Sequence, residues 1–105
     1  MNTIYHLVTK KDWEKNKKGN EYKADSLKTQ GFIHCCHEDQ IEYVVNQLFK
    51  DQKDLLLISI DPEKVNAKIK EDPVEDGELH SCPHIYGPVN LDAVVDIKNL
   101  NDSNY

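Results

Sequence analysis

The sequence predicts an α+β domain of about five to seven short strands and two helices, and three observations carry that prediction. Leu55-Leu56-Leu57-Ile58-Ser59-Ile60 is a near-continuous apolar run stopped by Asp61-Pro62, and its length suits a central strand better than a helix. Other short segments alternate apolar and polar residues, the period of a half-buried strand. Between Glu38 and Lys50, by contrast, Ile41, Val44, Val45, Leu48 and Phe49 recur at helical spacing with polar residues between them.

The elements follow in order. Ile4-Tyr5-His6-Leu7-Val8 alternates β-branched and aromatic residues and reads as a first strand, with His6 on the face of Ile4 and Val8. Thr9 followed by Asp12 resembles a capping box, so Lys10 to Lys17 makes a short helix ended by Gly19 and anchored by Trp13. Residues 21–30 are polar and mixed and read as a short extended piece followed by a loop or single turn. Gly31 to Cys35 is a short strand that leads into the helix over 38–50. Val65, Ala67 and Ile69 give a half-buried strand, and Asp72-Pro73-Val74-Glu75-Asp76-Gly77 is turn chemistry. His84 to Gly87 makes a brief strand limited by Pro83 and Pro88, and Leu91 to Ile97 makes the last one. Residues 1–98 are expected to form one domain, with 99–105 a frayed tail.

Composition excludes several classes. The 105 residues carry a formal charge of -6, which repels a phosphate backbone, so duplex nucleic acid is not an expected partner. The chain has no arginine; its 13 basic residues are all lysine, so the planar two-pronged clamp for phosphate or carboxylate is missing. No apolar stretch approaches the roughly 18 residues a membrane span needs, and no basic start precedes an apolar run. Three cysteines, two of them adjacent, make a poor disulfide framework. A cytoplasmic protein with reduced thiols is expected.

Five histidines, at 6, 34, 37, 80 and 84, concentrate the candidate chemistry. In strands, residues two apart share a face, so His34 with Cys36, and His80 with Cys82 and His84, could supply imidazole and thiolate to zinc. Neither cluster has the spacing of an established zinc motif, and Pro83 interrupts the second. Cys35 or Cys36 could serve as a nucleophile activated by His34 or the following helix, yet a buried cysteine is more often a small hydrophobe. His37 reads as a helix-entry residue. His6 and Tyr86 taken singly read as a core histidine and a packed ring; with His34 and His84 they suggest a polar pocket.

Ile4-Tyr5-His6-Leu7, Gly31-Phe32-Ile33-His34-Cys35 before a helix containing Gln40, and Pro83-His84-Ile85-Tyr86-Gly87-Pro88 followed by Leu91-Asp92-Ala93-Val94-Val95 together resemble the bacterial domain of unknown function 952. The resemblance spans nearly the whole chain. It implies a fold similar to the ADP-ribosyltransferase superfamily, a split β-sheet whose cleft takes NAD or a related nucleotide. By position His6 resembles the first-strand residue, His34 the second motif, and His84 with Tyr86 the third. The candidate catalytic residues are therefore His6, His34 and His84. Tyr86, Thr9, Ser26 and Glu78, the acid nearest the third motif, are the candidate ligand-binding residues. Cys36 and Cys82 stand where family members commonly have Ser and Phe, which weakens the zinc and thiolate readings. The resemblance implies a nucleotide-like small molecule as partner, NAD as substrate of an ADP-ribosyl transfer, and no resident cofactor or metal. Two alternatives stand beside it: a nucleotide-binding or sensor domain without turnover, and a zinc-dependent hydrolase using the His and Cys clusters.

Overall fold

The structure is a computed structural model that describes residues 2–77 and 79–100. In chain order the elements are β1 (Ile4–Thr9), α1 (Lys10–Asn16), β2 (Lys17–Lys18), β3 (Glu21–Tyr22), α2 (Asp25–Gln30), β4 (Ile33–His34), α3 (Ile41–Leu48), β5 (Leu55–Ile60), β6 (Lys68–Asp76), β7 (Leu79–Tyr86), β8 (Val89–Asn90) and β9 (Val94–Asn99). Single 3-10 turns at Glu38–Gln40, Pro62–Lys64 and Leu91–Ala93 join them. The strands form three antiparallel sheets of three, in the orders β1-β5-β9, β2-β3-β8 and β4-β7-β6. The α+β class is as expected, but α2 is a third helix where a loop or single turn was predicted, and the two-residue strands β2 and β8, which show no sequence period, raise the strands to nine among the described residues.

β5 is the centre of the molecule. All six of its residues are buried, and alternation sends them to opposite faces. Leu56, Ile58 and Ile60 join Ile4, Val8, Trp13, Ile33 and Ile85 in one core. Leu55 and Leu57 join Leu7, Ile41, Val44, Leu79 and Cys82 in the other. α3 covers the second core with Ile41 and Val44, the apolar stripe that its spacing predicted. α1 begins where Thr9 accepts the Asp12 backbone N–H at 3.3 Å and is anchored by Trp13.

Several boundaries move. The acidic segment from Asp72 is strand, not turn: β6 runs on to Asp76, and the turn sits at Gly77, whose φ of 57° suits glycine. Pro73 is tolerated because β6 is a sheet edge. β7 passes straight through Pro83, although it is the middle strand. The Pro83 carbonyl accepts the Cys35 N–H at 3.0 Å, one residue beyond the end of β4. In an antiparallel strand a residue's N and O face the same neighbour, so the missing donor falls where that ladder has run out. The segment from Leu91 to Ile97, read as one last strand, is a 3-10 turn over Leu91–Ala93 followed by β9, which runs on to Asn99; β8 lies just before it. The expected tail starts too early, since Asn99 pairs with Leu56 and Leu100 is buried in the second core; residues 101–105 lie outside the described residues.

One contact positions the site. Tyr5 of β1 and Cys36 exchange backbone hydrogen bonds of 2.9 and 2.7 Å, bridging the first sheet to the end of β4 in the third.

Candidate functional site

Beside that bridge a cavity of about 470 Å³ brings His6, His34 and His84 together, with Ser26 and Glu75 as further polar lining. Leu7, Val44, Phe49, Leu79 and the three cysteines supply much of the rest. The register explains the meeting: His34 of β4 lies directly opposite His84 of β7, and such pairs project to the same face. Their rings meet edge to face at 5.2 Å.

His84 is buried, and its environment is specific. Phe32 stacks on its ring at 4.1 Å and 15°. Nδ1 lies 2.9 Å from Asp72 Oδ2, and the same oxygen accepts the Tyr86 hydroxyl. Tyr86 thereby holds the Asp72 carboxyl below its usual range, with His84 adding to the effect, while Asp72 pushes the Tyr86 hydroxyl up. A carboxylate at Nδ1 makes that nitrogen the donor, which leaves Nε2 as the open position of the ring. His84 Nε2 is buried and, among the described residues, is the one buried side-chain nitrogen or oxygen without a hydrogen-bond partner.

His6 is committed elsewhere. Its Nδ1 donates to the His34 carbonyl at 2.6 Å, and its Nε2 accepts the Tyr22 hydroxyl at 2.7 Å. Burial pushes its pKa down to about 4, so at neutral pH the ring is an uncharged strut between β1, β3 and β4. The Tyr22 hydroxyl is raised by the same burial. His34 is more exposed; its Nε2 contacts the Gln30 side-chain oxygen, and burial followed by the neighbouring His84 lowers its pKa.

The remaining expected residues divide. Ser26 borders the cavity and donates to the Phe32 carbonyl at 2.8 Å, fixing the residue that stacks on His84. Tyr86 reaches the site through Asp72, with Lys70 Nζ 5.5 Å from its ring centre. Thr9 is not part of it, because its hydroxyl caps α1. Glu78 lies outside the described residues. Asp72, Phe32, Tyr22 and Glu75 were not anticipated; Asp72 shares a face of β6 with Lys70, which the pairing of the two strands sets opposite His84.

The thiol and zinc readings weaken further. Cys35, Cys36 and Cys82 are buried. Burial raises the Cys35 thiol well above its ordinary range and pushes Cys36 up to about 12, so neither is a ready nucleophile. Among the described residues no three His, Cys, Asp or Glu side chains converge on a metal-sized position. His80 lies apart from His84, on a second, wider cavity of about 920 Å³ with His37, Gln40, Glu71 and Ser81. There His37, Gln40, Glu71 and Ser81 bond to one another. Glu71 takes His37 Nε2 at 2.8 Å and the Ser81 hydroxyl at 2.7 Å, and Gln40 donates to the Ser81 carbonyl at 2.9 Å. His37 also donates its backbone N–H to the Gln40 side chain at 2.8 Å, the helix-entry role expected of it.

The family described as Protein of unknown function (DUF952) matches residues 7–97. The chain belongs to the DUF952 family. Its fold is similar to the crystal structure of protein CC0527 from Caulobacter crescentus, with a TM-score of 0.80 at 20% identity over 93% of this chain and 85% of that one. A crystal structure of a double variant of CC0527 gives the same values. The solution structure of CC0527 gives a TM-score of 0.68 at 20% identity over 94% and 84%. No curated protein matches the sequence. At this identity the likeness shows the fold of the DUF952 chain alone. No helix among its described residues is long and apolar enough to cross a membrane.

Proposed function

We propose that this DUF952 protein binds a nucleotide-like small molecule in the cavity between β1 and the β4-β7-β6 sheet, on a fold of the ADP-ribosyltransferase type with NAD as the substrate to test. The observation that carries this reading is the open Nε2 of buried His84 beside that cavity, with Nδ1 held by Asp72. A buried nitrogen left without a partner is costly, and a ligand donor or acceptor relieves it. With Nδ1 donating to Asp72, His84 Nε2 is an acceptor held at a fixed place. In a glycosyl transfer, Glu75 on the cavity lining is the described carboxylate that can face a developing positive charge.

Binding without turnover is the second reading, and His6 favours it. Both of its nitrogens are already taken by His34 and Tyr22, so it holds the cavity's shape and has no nitrogen to spare for a ribose. Titrating the ¹⁵N-labelled protein with NAD, ADP-ribose and AMP, while assaying nicotinamide release, tests both. Shifts at the His34 and His84 imidazoles are expected, with affinity falling about tenfold or more in His84→Ala. Release of nicotinamide selects the transferase reading, and shifts without release select the binding module. No perturbation of these imidazoles by any nucleotide overturns the proposal.

A further inference from the structure

The charge of the cavity lining narrows the ligand class. No lysine is among its described lining residues, and the chain has no arginine to send there. The acid on the lining, Glu75, adds a negative charge of its own. Three further lining groups carry no charge at neutral pH. Buried Cys35 and Cys36 keep their protons, and His6 is locked as a neutral ring between two protein partners. His84 has its Nδ1 facing the Asp72 carboxylate, so even a protonated His84 is already paired.

A phosphate monoester carries close to two negative charges, and enclosing them needs cations or several N–H donors in place. This cavity offers neither the guanidinium clamp nor a lysine. What it does offer is carbon surface from Leu7, Val44 and Leu79, the edges of two imidazoles, and one unpartnered buried nitrogen at His84. A flat neutral heterocycle with an N–H donor matches all three.

We infer that the cavity accepts the uncharged heterocyclic part of its ligand, donating an N–H to His84 Nε2, and selects unphosphorylated nucleosides or free bases over phosphorylated nucleotides. This rests on the reading that the cavity takes nucleotide-like ligands, and within that class it ranks a nucleoside or free base above NAD, whose pyrophosphate finds no cation among the described lining residues.

The test compares, on the full chain, pairs that differ only by a phosphate: adenosine with AMP, and uridine with UMP. Each is titrated into the labelled protein, following the His34 and His84 imidazole resonances. The uncharged member of at least one pair is expected to bind about tenfold or more tightly than its phosphorylated counterpart. His84→Ala should weaken both members of a pair alike, because it removes the acceptor for the heterocycle that they share. Equal or tighter binding of the phosphorylated member in every pair that binds overturns the inference and leaves the nucleotide reading standing. If no member of any pair moves either imidazole, the nucleotide reading falls and this inference with it.

Discussion

At the scale of single residues, His6 makes a prediction that does not depend on any ligand. Its folded-state pKa of about 4 lies below the unfolded value of 6.5, so protons bind the unfolded chain first. The stabilisation is therefore present above about pH 6.5 and is lost progressively as the pH falls towards 4, about 3 kcal/mol in all. Urea unfolding of the native sequence and of His6→Gln between about pH 7 and pH 4 checks this. The native protein should lose the larger share of its stability, and parallel curves for the two would assign the loss to other groups. His34, shifted in the same direction, contributes to both curves and drops out of their difference. The histidines were legible in the sequence because strand alternation fixes which way each one faces. Asp72 was not, because Asp-Pro followed by an acidic run has the composition of a turn. Only the pairing of β6 with β7 shows that its carboxylate reaches His84 and Tyr86. Tyr22 was hidden for a similar reason, lying in a polar stretch whose two-residue strand has no period to read.

At the scale of elements, the passage from α2 into β4 sets the position of Phe32 and hence of the His84 ring. α2 closes at Gly31, which has φ of 88° and donates its N–H to the Ser26 and Leu27 carbonyls. A Cβ built on Gly31 meets nothing within 4 Å, so substitution there tests backbone conformation without a clash. Gly31→Ala is expected to destabilise by about 1–2 kcal/mol, the cost of placing an L side chain in the left-handed region. Chemical denaturation measures the loss. An unchanged midpoint would mean that the turn relaxes to another conformation, which the Phe32–His84 ring contact would then report by NMR. Legibility at this scale followed length. β5 and α3 carry enough residues to display their periods, and both were placed well. β6 and β7 were truncated at their prolines, because the rule that proline ends a strand assumes a ladder partner on its N–H side. Pro73 faces the open edge, and Pro83 faces the place where β4 has ended.

At the scale of the molecule, two cores share one strand. Trp13, the chain's single tryptophan, sits in the first core, and Cys82 sits in the second. β5 contributes Ile58 to one and Leu57 to the other from adjacent positions. A Cα radius of gyration of 12.8 Å is that of a packed chain of this length. If β5 couples the cores, neither can open while the other stays intact, because losing either face strips the strand of half its burial. Trp13 fluorescence and the labelling of Cys82, resolved by mass spectrometry, should therefore give the same urea midpoint. Ile58→Ala and Leu57→Ala each remove a buried side chain, at a cost of about 2–5 kcal/mol, and each should lower both midpoints together with the slope unchanged. A variant that moves the tryptophan signal and not the thiol signal would divide the protein into two independently stable layers. The consequence reaches the cavity proposed as the ligand site, which draws His6 from the first sheet and His84 from the third, and Leu7, Leu79 and Cys82 from the second core. In a molecule that unfolds as one unit, a ligand bound there stabilises every part of the fold, so Trp13 reports binding even though it lies in the other core.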